Sequence, residues 1–258
     1  MTTSRLTIGY STLGDRVANI QLPAQRDDID ILIVVQGQPV NPPVRSDVTL
    51  VVIDSYGVTK SRNEVLRRAQ GDVLVFGDDD IVWDMAGLDS ALAQFDARPE
   101  LALLLGRGVD ETGALRKRYP ETIERLSRWN SAKAATYEML VRPALFRAAH
   151  VGFDEEFGAG ATNYLGDEYI LIADAAKSGL LCEFHPITVA MHPTESSGSR
   201  YRSLADARAR SIIFTRVFGP LLAIPVRAVF VARDPGRFAG LGSMIRFVFG
   251  VFPAAERS

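Results

Sequence analysis

Cysteine is nearly absent from this 258-residue sequence: Cys182 stands alone. No intramolecular disulfide can therefore form, and no cysteine-based zinc site exists. Histidine is almost as scarce. His150, His185 and His192 are the full set, and no two of them make an HxxxH pair. Long apolar runs are missing too. No stretch reaches the roughly 18 uncharged apolar residues that a membrane span needs. The opening MTTSRLTIGY enters a strand-like segment without an apolar signal region. There is no GxGxxG or P-loop string near the first strand, no internal repeat and no low-complexity tract.

What is present is an ordinary globular composition, 47% hydrophobic and 23% charged, with a net charge of −2. Disorder, collagen and coiled coil are excluded. The length suits one large domain, or one domain with an appendage, and allows a real core. The charge is unevenly placed. Residues 200–258 hold ten Arg, no Lys and three acids (Asp206, Asp234 and Glu256), a net of +7, which leaves −9 on residues 1–199. An acidic body with a basic C-terminal piece points to an anionic surface as partner. It does not point to nucleic acid, because the body is acidic. A soluble cytoplasmic protein, or one peripheral at the inner face of a membrane, is expected.

The first half alternates strand-like and helix-like pieces. Leu6–Ser11, Asp30–Gln36, Thr49–Ile53, Asp72–Phe76 and Leu101–Leu105 read as strands. The unbroken run Ile31–Val35 suits a strand covered on both faces. Ser61 is a candidate N-cap, with Glu64 completing a capping box, for a helix that Gly71 ends. Met85–Ala97 reads as a second helix closed by Pro99, and Asp167–Ser178 as a third stopped by Gly179. Gly106–Asn130 is a polar, basic excursion with little core. Gly152–Gly166, with four glycines, suits a loop over a site. Leu180–Phe184 and Thr188–His192 are short strand candidates. The spacing predicts an α/β fold with a mostly parallel sheet. From Ser203 onward the pattern is helical and amphipathic, interrupted by Pro220 and Pro225, with a second piece at Met244–Phe252.

Four signals carry chemistry. Asp78-Asp79-Asp80 directly follows an apolar strand and Gly77. Ligands gather at the carboxyl ends of strands in open α/β sheets. Adjacent carboxylates raise one another's pKa unless a cation or donors compensate, which a hard Mg²⁺ or Mn²⁺ does. A solvated acidic turn or N-cap cluster is the alternative. Gly57–Asn63 opens a helix whose N-terminus favours anions, with Lys60 and Arg62 adding charge. Gly166-Asp167-Glu168 starts another helix, where a carboxylate can act as general base or simply as an N-cap. His192 ends a late strand downstream of that helix.

Taken in order, these elements resemble the family-2 glycosyltransferases of the GT-A fold over roughly residues 5–195. That family's G-x-x-x-A/S-R-N helix appears as Gly57…Ser61-Arg62-Asn63. Its strand ending in DxD appears as Val73–Phe76, Gly77 and Asp78–Asp80. Its acceptor segment appears as Phe153-Asp154-Glu155…Gly166-Asp167-Glu168. The resemblance implies a Rossmann-like mixed, mostly parallel sheet flanked by helices. It implies inverting transfer of a sugar from a nucleotide-diphospho-sugar of UDP, TDP or GDP type to a hydroxyl of a glycan or lipid-linked acceptor, in envelope or exopolysaccharide synthesis. Asp80 would be the ligand of Mn²⁺ or Mg²⁺, Asp78 would lie near the metal or the donor ribose, and His192 near the metal or diphosphate. Ser11, Thr12, Lys60, Arg62, Asn63 and Asp79 would fall on the donor side. The family's Glu-Asp order is inverted here, so the base is Glu168 by offset or Asp167 by type. Gln36 stands where members carry an Asp that reads the nucleobase; an amide both donates and accepts, as a uracil or thymine edge requires.

The resemblance divides the chain into a GT-A domain, 1–199, and a basic amphipathic helical extension, 200–258. That extension packs on the body or a second subunit, or attaches to a membrane surface through Arg and apolar side chains. Two other readings stand beside the transferase. One is a nucleotidyltransferase or other nucleotide-sugar enzyme on the same sheet, against which the missing glycine-rich strings weigh. The other is a non-catalytic subunit that binds a partner or a membrane.

Overall fold

The structure, a computed structural model, describes residues 4–193 and 203–252. Among them nine strands form one mixed sheet. They are β1 (Leu6–Leu13), β2 (Ile29–Gln36), β3 (Val48–Ile53), β4 (Val73–Gly77), β5 (Val82–Trp83), β6 (Leu101–Val109), β7 (Glu124–Arg125), β8 (Met139–Val141) and β9 (Leu181–Met191). The order is β3-β2-β1-β4-β8-β6-β9-β5, with β7 alongside β9. The first four strands in that order are mutually parallel, and β6 runs parallel to β9. The antiparallel pairings all involve the short strands β5, β7 and β8. The expected α/β class and mostly parallel sheet are present.

Side-chain alternation along β2 explains its unbroken apolar run. Ile29, Ile31, Ile33 and Val35 join the core beneath α2 (Met85–Ala97), with Leu88, Leu92 and Phe95. Leu32 and Val34 point to the other face, against α1 (Val58–Arg68), α3 (Pro143–Ala148) and α4 (Asp167–Lys177), where Val65, Leu66, Phe146 and Leu171 lie. Both faces are covered along Ile31–Val35, which is why that run is apolar throughout. Each fully buried Ile, Leu or Val contributes roughly 1.5–3 kcal/mol. α1 sits unusually close to β1: a Cβ on Gly9 would collide with Val65 and lie 2.9 Å from Leu74 Cδ1.

Several local expectations are corrected. Helix α1 starts at Val58 behind Gly57, so Ser61 is not its N-cap. Ser61 lies in the first turn and its hydroxyl donates to the Val58 carbonyl (2.9 Å). Glu64 forms no capping box; it pairs with Arg67 and Arg68 one turn on. The helix ends at Arg68, and Gly71 serves the β1 edge, where its N–H donates to Thr7 Oγ1 (2.9 Å). The two late strand candidates form the single strand β9, whose pairing with β6 carries register shifts. β6 itself runs on to Val109. The strands β5, β7 and β8 and the helix α3 lie outside the elements read from the sequence; each is six residues or fewer, too short for a periodic signal.

The C-terminal piece forms α5 (Leu204–Arg233) and α6 (Leu241–Phe249). α5 is interrupted at Gly219 (φ 76°), and Pro220 begins its second half. The first half belongs to the body: Phe157, Tyr169, Ile170, Ile213 and Phe218 share one cluster. Arg216 bonds Asp154 (2.8 Å) and Asp174 (2.7 Å), and Tyr164 donates to Asp206 (2.5 Å). The expected boundary at residues 199 and 200 lies outside the described residues.

Candidate active site at the carboxyl edge of the sheet

Strands β1, β2 and β4 run parallel, so Ser11 and Thr12, Gln36, and Asp78–Asp80 reach the same edge of the sheet. The three aspartates then diverge, each toward a different partner, which relieves their mutual repulsion. Asp78 Oδ1 accepts from Arg62 Nη2 (3.0 Å). Asp79 is buried, and its carboxylate accepts from Thr12 Oγ1 (2.6 Å) and from Arg16. Burial pushes Asp79 above the ordinary carboxylate range, against the pull of Thr12 and Arg16. Asp80 turns the other way. Its Oδ1 is buried without a hydrogen-bond partner among the described residues, and His192 Nε2 lies 3.7 Å from it. Tyr137 stacks on the His192 ring (centroids 5.1 Å apart, 27° between planes).

Gly57, at φ 126°, turns the chain into α1. Its N–H donates to Gln36 Oε1 (2.6 Å), and Gln36 Nε2 donates to Ser61 Oγ (3.3 Å). The Gln36 amide is therefore committed to the helix start on both its oxygen and its nitrogen. Asn63 is committed as well. Its side chain brackets Phe153, accepting from the backbone N–H (2.8 Å) and donating to the carbonyl (2.9 Å), and it reaches Glu155 (3.1 Å). Asn63 thus holds the glycine-rich loop to α1. Lys60 is half-buried and makes no ion pair among the described residues. Ser11 Oγ is buried without a partner among the described residues.

Arg62 lies one position before Asn63, on the buried side of α1, and is itself 6% exposed. Its Nη1 donates to Asp167 Oδ2 (2.5 Å) and lies 3.8 Å from Glu168 Oε1, while Nη2 holds Asp78. Its guanidinium also sits 5.8 Å from the Phe153 ring centroid. Burial alone would lower its pKa, but the carboxylates of Asp78, Asp167 and Glu168 outweigh burial and hold it above the usual arginine value. Sequence places Arg62 on the donor side; the structure makes it a bridge between the acids after β4 and those opening α4.

Gly166 precedes α4 in the left-handed region (φ 95°), pressed against Ile213 of α5. Asp167 is buried, whereas Glu168 keeps 23% of its side chain accessible. Glu168 Oε1 accepts from Thr136 Oγ1 (2.7 Å). Burial, followed by the Asp167 charge, pushes the Glu168 carboxyl up to about 7, despite Arg62 and the Thr136 hydrogen bond.

Arg16, Thr136 and Tyr137 belong to the site's surroundings and were not singled out in the sequence. Thr136 and Tyr137 are set by a buried anchor beside them. Glu138 is fully buried and accepts from Lys117 (2.7 Å) and Tyr119 (2.6 Å). The basic excursion is thus pinned at Glu138 rather than free. No local pattern announces these residues, because their partners lie 19 to 63 positions away.

Among the described residues, no group of three or more His, Cys, Asp or Glu side chains is arranged to hold a metal ion. Of the expected trio, Asp80 and His192 are adjacent while Asp78 faces Arg62. A divalent ion fits this half-site chemically. The orphaned Asp80 oxygen is a hard donor, and Mg²⁺-type ions commonly bind through one or two carboxylates plus substrate phosphates.

No family model matches the chain, and no curated protein matches it in sequence. Solved structures do. TarS 1–349 of S. aureus in complex with UDP-GlcNAc superposes with a TM-score of 0.61 at 16% identity, over 95% of this chain and 81% of that one. A longer TarS structure superposes at 0.60 and 14% identity, and there the match takes in 49% of TarS, so this chain spans about half of that protein. The mannosyltransferase PcManGT of Pyrobaculum calidifontis, in complex with GDP-Man and Mn²⁺, superposes at 0.53 and 17% identity, over 97% and 80% of the two chains. At these identities the likeness concerns the fold, and the chain has the mixed α/β fold of these glycosyltransferases.

Proposed function

We propose that the protein is a metal-dependent, inverting glycosyltransferase that moves a sugar from a nucleotide-diphospho-sugar to a hydroxyl acceptor, a glycan or lipid-linked glycan of envelope or exopolysaccharide synthesis. One observation carries this reading. Arg62 joins Asp78, at the strand end where donors bind in such sheets, to the Asp167–Glu168 pair at the opposite side of the same edge. The shared fold with proteins solved in complex with UDP-GlcNAc and with GDP-Man and Mn²⁺ supports the donor class.

Glu168 is assigned as the base. It is the more accessible acid of the pair, it is oriented by Thr136, and its pKa near 7 suits proton removal at neutral pH. Asp167, held by Arg62, is a positioning residue. The acceptor oxygen forms its bond to the anomeric carbon as the bond from that carbon to the diphosphate breaks. The acceptor proton passes to Glu168, and the configuration inverts. Asp80, with His192 beside it, would hold Mn²⁺ or Mg²⁺, which when bound supplies positive charge against the leaving diphosphate. Lys60 and the N-terminus of α1 face anionic groups favourably. Gln36 and Asn63 act indirectly, by fixing the start of α1 and the loop after Gly152.

The test is thermal stability of the purified chain against UDP, TDP and GDP, with and without Mn²⁺. A ligand that binds the native state raises Tm by mass action. A metal-dependent rise with one nucleotide, lost in Asp80→Ala, is expected. No rise with any nucleotide, with or without Mn²⁺, would remove the donor site, and with it the transferase reading.

A further inference from the structure

The second half of α5 and the whole of α6 leave an apolar surface with no partner among the described residues. Leu221, Pro225, Ala228, Val229 and Ala232 are all exposed, at offsets of 4, 7, 8 and 11 residues from the first, which is one stripe of a helix. Leu221 is 85% exposed. On α6, Leu241 (72%), Ile245 and Phe249 (61%) follow the same i, i+4, i+8 spacing. The opposite sides of both helices meet in an aromatic core, where Phe247 lies 5.7 Å from Phe230 and 4.9 Å from Phe238. Both stripes therefore point away from the packed interior.

We propose that this helical hairpin docks on an anionic lipid surface and lies in the interface rather than crossing it. The inference is independent of the transferase reading. Charge selects the occupant. Arg233 and Arg246 are exposed beside the stripes, and residues 220–252 hold four Arg and one Asp, a net of +3, whereas residues 1–199 carry −9. An anionic bilayer attracts this end of the molecule and repels the body. A second copy of the chain is disfavoured, because a two-fold interface sets this same basic patch against itself.

Length selects the orientation. α5 as a whole is long and apolar enough to cross a membrane by length and composition. Its first half, however, is held to the body through Asp206 and Arg216. The helix breaks at Gly219, so only Pro220–Arg233 is available. At 1.5 Å per residue that is about 20 Å, short of the roughly 30 Å hydrocarbon core. A short helix with an apolar stripe and flanking Arg fits the interfacial plane.

The experiment is flotation of the full chain with vesicles of phosphatidylcholine alone and of phosphatidylcholine with phosphatidylglycerol, paired with light scattering of the free protein. Roughly tenfold more protein bound to the anionic vesicles is expected, falling with added salt. The triple variant Leu221→Ser, Leu241→Ser and Phe249→Ser should lose this binding while keeping its circular dichroism and Tm, since all three side chains face solvent. Arg233→Gln with Arg246→Gln should reduce the preference for anionic lipid. Absence of binding to either vesicle overturns the proposal, as does undiminished binding by the triple variant. A concentration-dependent dimer that the triple variant makes monomeric also overturns it and assigns the face to a second copy.

Discussion

Arg62 and Asp167 are 105 positions apart in the chain, and their side chains meet at 2.5 Å with both largely buried. The contact ties α1 to the start of α4, and with Asp78 it draws three carboxylates around one guanidinium. Charges taken out of water are stable only while paired, so the consequence of removing the shared partner is severe.

Arg62→Ala is therefore expected to cost about 3–5 kcal/mol and to lower Tm on the order of 10 °C. Arg62→Lys should recover little, because an ammonium lacks the planar fork that serves Asp78 and Asp167 together. Urea titration of both variants measures this. A loss within about 0.5 kcal/mol for the alanine variant would contradict the pairing.

Glu168→Gln is expected to lower kcat by about 10²–10⁴-fold and to leave the nucleotide-dependent rise in Tm intact. In the unaltered protein the base must be ionised, so kcat/KM should climb with pH and level off above about 7. Stability moves the opposite way. A carboxyl whose folded pKa lies above its unfolded value binds more protons when folded, so its contribution declines as pH rises from about 4.5 to about 7. Glu168→Gln removes that decline, and its Tm relative to the parent should improve between pH 5 and pH 8. A pH-independent difference would place the pKa elsewhere.

Asp80→Ala should be nearly silent in the metal-free protein, because Asp80 Oδ1 has no hydrogen-bond partner among the described residues to lose. It should abolish the Mn²⁺ dependence of nucleotide binding. Calorimetric titration of UDP or GDP with and without Mn²⁺, in parent and variant, decides this. Asp79→Ala should behave in the reverse manner, destabilising the fold through Thr12 and Arg16.

Gly9→Ala introduces a methyl group where Val65 and Leu74 already lie. Overpacking of this kind costs about 1–3 kcal/mol. α1 must move off β1 to admit it, and Arg62 moves with the helix. Reduced Tm together with reduced turnover is expected from the same variant, whereas Gly242→Ala, with open space around it and no left-handed φ, should leave turnover unchanged.

The strands β1 to β4, the helix α2 and the position of three aspartates at a strand end were all legible in the sequence. Burial on both faces forces runs such as Ile31–Val35, and a strand end followed by Gly77 forces the acids to the sheet's edge. Helix α4 was legible too, because Gly166 and Gly179 bracket it. The roles of the individual acids were not. Asp78, Asp79 and Asp80 are identical as letters. Only the neighbours that the sheet brings to each make one an ion-pair partner, one a buried brace for Thr12 and one an unpaired donor beside His192. The same holds for Gln36 and Asn63, which motif position assigns to the donor and packing assigns to the backbone of Gly57 and Phe153. Local periodicity depends on residues a few positions apart and is written in the sequence. The charge state of Glu168 depends on Arg62, Thr136 and Asp167, and two of these come from distant segments, so the tertiary structure alone decided it.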